Sequence, residues 1–260
     1  MMTAPYIYLV QIDVPASLDA EVNRVYDDEH IPHLIDVPGC LSCTRYRLVG
    51  GDTEGAPRFT AMWGMSRPDI TGLYGPNGQA WKAATVGSQY DSLIRPHVTQ
   101  RSHHILERIA PPRTASDENY RATIAAPYLY LVQLDIPKHL DADLNRIYDT
   151  EHVPHLMEVP GCLGCARFMV VGGDEGAPRF TAMWGLSRPD ITGIYGPNGK
   201  AWANAAKDSE FNTKILPHLF NHRNLILERI TPPLARDAEK YPAPLGRRMN
   251  AARQAKGDHQ

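Results

Sequence analysis

The sequence has no long apolar run: no stretch approaches the ~18 uninterrupted apolar residues that a membrane helix requires, which excludes a helical membrane protein. It lacks an excess of either charge, with 27 Lys and Arg against 29 Asp and Glu and a formal net charge of -2. No basic field is therefore set up for a nucleic-acid backbone. Cysteine is scarce, at four residues in 260, too few for a disulfide scaffold and consistent with free thiols in the cytoplasm. The opening MMTAPYIYLV has neither a basic leader nor a signal-length apolar segment, so a cytoplasmic location is expected. A G-x-G-x-x-G, a phosphate loop and a G-x-S-x-G elbow are all missing, which argues against nucleotide use and against a serine hydrolase of that type.

What is present is an ordinary globular composition, 43% apolar and 22% charged, and a repeat. APYIYLVQID (4–13) returns as APYLYLVQLD (126–135), and RFTAMWGMSRPDITGLYGPNG (58–78) returns as RFTAMWGLSRPDITGIYGPNG (179–199). Aligning 4–52 with 126–174 and 54–112 with 175–233, with Thr53 as an insertion, leaves 69 of 108 positions identical. The period is too long for a solenoid unit, so the pattern reads as a tandem duplication of a small domain. The expected organisation is a first repeat over 1–110, a polar linker over 111–125, a second repeat over 126–233 and a basic tail over 234–260 that serves as an exposed or docking arm.

Within one copy, β-branched and aromatic residues over Tyr6–Val14 predict a strand ended by Pro15. Leu18, Val22, Val25 and Tyr26 recur at helical spacing after Asp19, and Pro38-Gly39 stops that helix. Two strands follow, over 40–49 and 58–65. Ser66 and Asp69 with Pro68 between them predict the cap of a second helix that resumes near Trp81 after a Tyr-Gly-Pro-Asn-Gly turn. A last strand covers 103–110. The order is β-α-β-β-α-β, a ferredoxin-like unit. Such a unit leaves one sheet face bare. The expected fold is therefore α+β: two ferredoxin-like repeats packed sheet to sheet as an intrachain pseudo-dimeric α+β barrel.

The string VYDDEHIPHLIDVPGCLSCTRYRLV after a first strand resembles the dimeric α+β barrel superfamily, closest to its EthD-like branch. There a helix ends in His-hydrophobic-Pro before a Pro-Gly and a strand. The resemblance implies that His30 and His152 stand near a ligand pocket, and leaves the reaction open, since the superfamily spans oxygenases, cyclases, isomerases, dehydratases, decarboxylases and haem proteins.

The residues themselves suggest acid–base chemistry. Glu29-His30-Ile31-Pro32-His33 and Glu151-His152-Val153-Pro154-His155 place a carboxylate beside imidazoles, a natural general base. A plainer reading has the histidines only capping a helix C-terminus. A metal site built from them is disfavoured by the intervening proline. Tyr26, Trp63 and Tyr74, with Tyr148, Trp184 and Tyr195, are candidate substrate-binding residues around an apolar pocket with a lid. His97 and His218 are candidates for a second proton-transfer group, and otherwise turn residues. Arg45, Arg58, Arg167 and Arg179 could clamp a carboxylate, or Arg58 could simply pair with Glu54. Cys40 and Cys43, with Cys162 and Cys165, read as buried structural thiols whose three-residue spacing on a strand points them to opposite faces.

The functional expectation is a cofactor-free enzyme of lyase, decarboxylase, isomerase or cyclase type, acting on a small aromatic or enolisable carbonyl compound. His30 and His152 would move the proton, and Glu29 and Glu151 would orient the imidazoles. A haem- or metal-dependent oxygenase of the same fold and a non-catalytic ligand-binding or assembly module are the alternatives, with a homo-oligomer of pseudo-dimers as a possible assembly.

Overall fold

The computed structural model describes residues 4–111, 118–231 and 234–235; apart from Leu234 and Ala235, the basic tail lies outside them. The first strand is β1 (Tyr6–Asp13), followed by α1 (Asp19–Val25), a π turn (Tyr26–His30) and α2 (Ile31–Ile35) in one helical arm. β2 (Cys40–Gly51), β3 (Phe59–Met65), α3 (Gln79–Thr85), a π turn (Tyr90–Ile94) and β4 (Gln100–Ala110) complete the first half. After α4 (Glu118–Ala125) the pattern recurs as β5 (Tyr128–Asp135), α5 (Asp141–Ile147), a π turn (Tyr148–His152), α6 (Val153–Met157) and β6 (Cys162–Gly173). It ends with β7 (Phe180–Leu186), α7 (Lys200–Ala206), a π turn (Phe211–Ile215), β8 (Phe220–Arg229) and the short β9 (Leu234–Ala235).

The strands run in the order β3-β1-β4-β6-β7-β5-β8-β2, and β2 pairs back onto β3, so eight antiparallel strands close a barrel. β9 adds to β2 opposite Ser42 and Cys43. Two seams join the halves: β4 against β6, from His104↔Gly173 to Ala110↔Arg167, and β2 against β8. Closure leaves no long bare edge.

Alternation along the strands sorts the side chains into three cores. Leu9, Met62, Leu106, Leu131, Phe168, Met183 and Leu227 fill the barrel interior. The opposite faces of the same strands hold Tyr8, Val10, Trp63 and Ile105 against Val22, Val25 and Leu34 of the helical arm, with a matching core in the second half.

Three sequence expectations change. The segment 111–125, expected as a plain polar linker, contains α4, which plugs one barrel end. Tyr120 meets Phe168 at 6.5 Å between ring centres, and the Tyr46 hydroxyl donates to the Ile124 carbonyl at 3.2 Å. The cap expected at Ser66 starts no helix, because the Asp69 carboxylate instead accepts from Asn77 at 2.6 Å and Gly72 and Gly75 take positive φ of 80° and 95°. The cysteines of each pair face one core rather than two. A β-bulge between Cys40 and Ser42, repeated between Cys162 and Gly164, inserts a residue and resets the alternation. All four are free and buried, and burial pushes the Cys43 and Cys165 thiols well up. They are inert structural groups.

Candidate active site between the sheet and the helical arm

Pro32 explains the shape of the arm. It cannot donate a backbone N–H and its ring clashes with the carbonyl four residues back. The chain relieves this with a wider turn in which the Ile31 N–H reaches the Tyr26 carbonyl, a π bulge of the sort found at functional sites. The bulge carries His30 inward. Its ring is 7% exposed and stacks on Tyr90 at 4.2 Å and 24°, with Tyr26 edge-on at 4.8 Å and Trp63 at 6.1 Å. The second half repeats this closely: His152 stacks on Phe211 at 4.2 Å and meets Tyr148 at 4.8 Å and Trp184 at 5.9 Å.

A cavity of about 290 Å³ opens beside His30, lined by Tyr8, Tyr26, Trp63, Trp81, Thr71, Thr85 and Tyr90, with Lys82, Arg95 and Arg101. Trp81 meets Trp63 at 5.3 Å and Tyr8 at 5.6 Å, both edge-on, so the aromatic wall is continuous. Burial, and then the positive fields of His33, Arg95 and Arg45, push the His30 pKa down to about 3. Burial and then Arg167 and His155 do the same to His152, also to about 3. Both imidazoles are neutral at physiological pH.

The structure gathers His30, Tyr26 and Trp63 on this cavity and sends the other expected residues elsewhere. Glu29 accepts from the Gln89 N–H at 2.7 Å and lies 4.0 Å from His33, while Glu151 accepts from the Glu210 N–H at 2.9 Å. Each carboxylate ties the arm to the following π turn and orients no inward imidazole. His33 is half-buried and His155 exposed. Tyr74 and Tyr195 are 48% and 44% exposed and lie across the seams, over Gly172 and Gly50 respectively, where only a glycine leaves room. His97 and His218 are exposed on the turns before β4 and β8.

The arginines are structural too. Arg45, 2% exposed, binds Asp27 at 2.8 Å and the Asn23 side chain at 2.6 Å while its guanidinium lies over the Tyr26 ring; Arg167 binds Asp149 at 2.6 Å. Arg58 pairs with Asp13 and Asp19, both at 2.8 Å, rather than with Glu54. These residues fix the arm that carries the histidines.

The expected site residues do not include Tyr90, Lys82, Arg95 and Arg101, although the divergence of the copies over 82–93 and 99–104 marks that region. The signal was available in the repeat: these positions read Phe211, Ala203, Leu216 and His222 in the second copy, so the halves diverge where the first cavity is lined.

No family model matches the chain, and no curated protein matches it. Solved structures do. A protein assigned as a monooxygenase, from Lactobacillus acidophilus NCFM, superposes with a TM-score of 0.50 at 11% identity, covering 90% of this chain and 100% of its own. An anthrone oxidase-like protein gives 0.52 at 10% identity over 92% and 95%. A chlorite dismutase from Candidatus Nitrospira defluvii, in complex with imidazole, gives 0.53 at 11% identity over 96% of each chain. These comparisons and the site correct the expected lyase, decarboxylase, isomerase or cyclase. The neighbours bear oxygenase, oxidase and dismutase names, and a histidine with a pKa near 3 and no carboxylate partner is a poor general base at neutral pH. At these identities the likeness establishes the architecture alone: the chain has the α+β fold of these neighbours, with its eight-stranded antiparallel barrel closed within one chain.

Proposed function

We propose that the chain is an oxygenase-type, haem-dependent enzyme whose working chamber is the one beside His30. It is a tandem duplication of an EthD-like unit, with 1–110 and 126–233 as the ferredoxin-like partners of a pseudo-dimer. The observation that carries the reading is His30 itself: a neutral imidazole opening on a cavity that has three cationic side chains and no carboxylate among its lining residues. The chlorite dismutase complex with imidazole favours a haem iron, because imidazole is an iron ligand.

The residues fit such a group in their chemistry. A haem requires a neutral imidazole for its iron, apolar flat walls, and cations for its propionates; His30, the Trp63–Trp81 pair, and Lys82 and Arg101 provide those types, with Arg95, paired to Asp91 at 2.6 Å, beside them. When bound, the iron supplies the oxygen and one-electron chemistry for which the chain's side chains are unsuited. The chain's own work is positioning. Tyr90 and Tyr26 fix the His30 ring, Arg45 pins the arm through Asp27 and Asn23, and the tryptophans keep water off the apolar wall. The same walls suit a small, flat organic substrate.

Titration of the full chain with hemin, followed by absorbance, tests this. A saturable Soret band at one hemin per chain is expected, weakened at least tenfold by His30→Ala and little changed by His152→Ala, whose surroundings lack the three cations. No band in the wild type, or an unaltered one in His30→Ala, overturns haem dependence. One observation favours a second reading, cofactor-free oxygenation of a small aromatic molecule: at about 290 Å³ the cavity lies at the small end of the ~300–1,000 Å³ typical of ligand pockets. Colourless protein that consumes oxygen with such a substrate decides for it.

A further inference from the structure

The barrel interior is apolar at mid-height and polar at the mouth away from α4, and the two sides of that mouth are unequal. On one side Gln11, Ser102 and Thr60 lie directly across from one another on β1, β4 and β3. They satisfy each other: the Gln11 amide donates to Thr60 at 3.4 Å and the Ser102 hydroxyl donates to Gln11 at 3.5 Å. The corresponding row on the other side is Gln133, Arg223 and Thr181 on β5, β8 and β7. Here the Gln133 amide nitrogen and the Thr181 hydroxyl are buried without a partner, and Arg223 forms no ion pair among the described residues. One layer deeper, His104 stands opposite Leu9 in place of the second copy's Leu225, 6% exposed and with its Nδ1 unpartnered.

Gln11, Ser102, His104, Gln133 and Arg223, with Asn221 and His222, line a cavity of about 320 Å³ whose rim includes Asp174 and Glu175. It opens into the barrel, whereas the His30 cavity lies between the sheet and the helical arm. Buried polar groups in native proteins nearly always have partners, and the first half shows that this row can be self-satisfied. With Arg223 in place of Ser102, the Gln133 amide nitrogen and the Thr181 hydroxyl stay buried without a partner, and the half-buried Arg223 has no ion pair among the described residues.

We propose that this mouth is a second ligand site, taking a small monocarboxylate that carries a hydroxyl or keto group. The Arg223 guanidinium and the Gln133 amide, neighbours across the β5–β8 ladder, receive the carboxylate. His104 and Ser102 face the second polar group. Of the two rim carboxylates, Asp174 is held by the His103 side chain at 2.9 Å and Glu175 is exposed; together they repel a dianion and select against inorganic phosphate.

Isothermal titration of the full chain with lactate, pyruvate and inorganic phosphate tests the site. Saturable binding of lactate or pyruvate is expected, with phosphate giving none. Arg223→Gln, on the half-buried rim where folding is unaffected, weakens binding at least tenfold, and so does Gln133→Leu. The double variant Lys82→Ala and Arg95→Ala, which strips cations from the His30 cavity, leaves it unchanged. Loss of binding in that double variant instead assigns the carboxylate to the His30 cavity and overturns the proposal. Absence of binding in the wild type, where the groups then hold only water, overturns it equally, as does undiminished binding in Arg223→Gln.

Discussion

At the scale of single residues, burial decides what the titratable groups can do. His30 and His152 are histidines in aromatic boxes, with pKa values pushed from 6.5 to about 3. The sign of the linkage follows. The folded state refuses a proton that the unfolded state accepts, so the folded state is favoured above about pH 6.5 and loses that advantage as pH falls towards 3. Thermal unfolding across this range should show Tm falling with acidity. The double variant His30→Gln and His152→Gln should flatten the slope in that window; an unchanged slope assigns the acid sensitivity to other groups. The motif Glu-His-x-Pro-His was visible in the sequence, and in the structure its first histidine, His30, lines a cavity. What it could not show was that Glu29 turns to the Gln89 amide, because a four-residue spacing says nothing of a competing donor 60 positions away.

At the scale of elements, the strands and helical arms follow from alternation and turn chemistry, and their boundaries fall within a few residues of expectation. The exceptions have local causes: the bulge that turns both cysteines to one side, and the Asp69–Asn77 bond that replaces a helix cap. The Tyr-Gly-Pro-Asn-Gly loops illustrate a contact that no pattern along one element can reveal. Tyr195 presses on Gly50 so closely that a Cβ there would lie 2.4 Å from its ring. Gly50→Ala should therefore destabilise the protein by about 1–3 kcal/mol, and the further change Tyr195→Ala should recover part of the loss. Denaturant unfolding of the two variants measures it, and additive effects would deny the contact.

At the scale of the whole molecule, the two halves share one sheet. The β4–β6 and β2–β8 seams carry ladder bonds between copies, and α4 closes the barrel between them. Neither half can lose its strands without exposing the interior core of the other, so unfolding should be a single transition. Circular dichroism and tryptophan fluorescence should report the same midpoint. Two separated transitions would show the halves folding independently.

The sequence alone determined the repeat and the β-α-β-β-α-β order within each copy, because these rest on periodicity and turn residues, which are local. It also shows that the two copies diverge over 82–93 and 99–104, the segments that carry Lys82, Tyr90 and Arg101. Only the tertiary structure decided what that divergence meant. It brought those side chains to one cavity and turned the arginines of the arm into braces. Among the described residues it also left the Gln133 amide and the Thr181 hydroxyl buried without partners, next to Arg223 at a barrel mouth. The physical reason is that burial and pairing depend on residues distant in the chain, and it is burial and pairing, rather than residue type, that set protonation state and binding capacity.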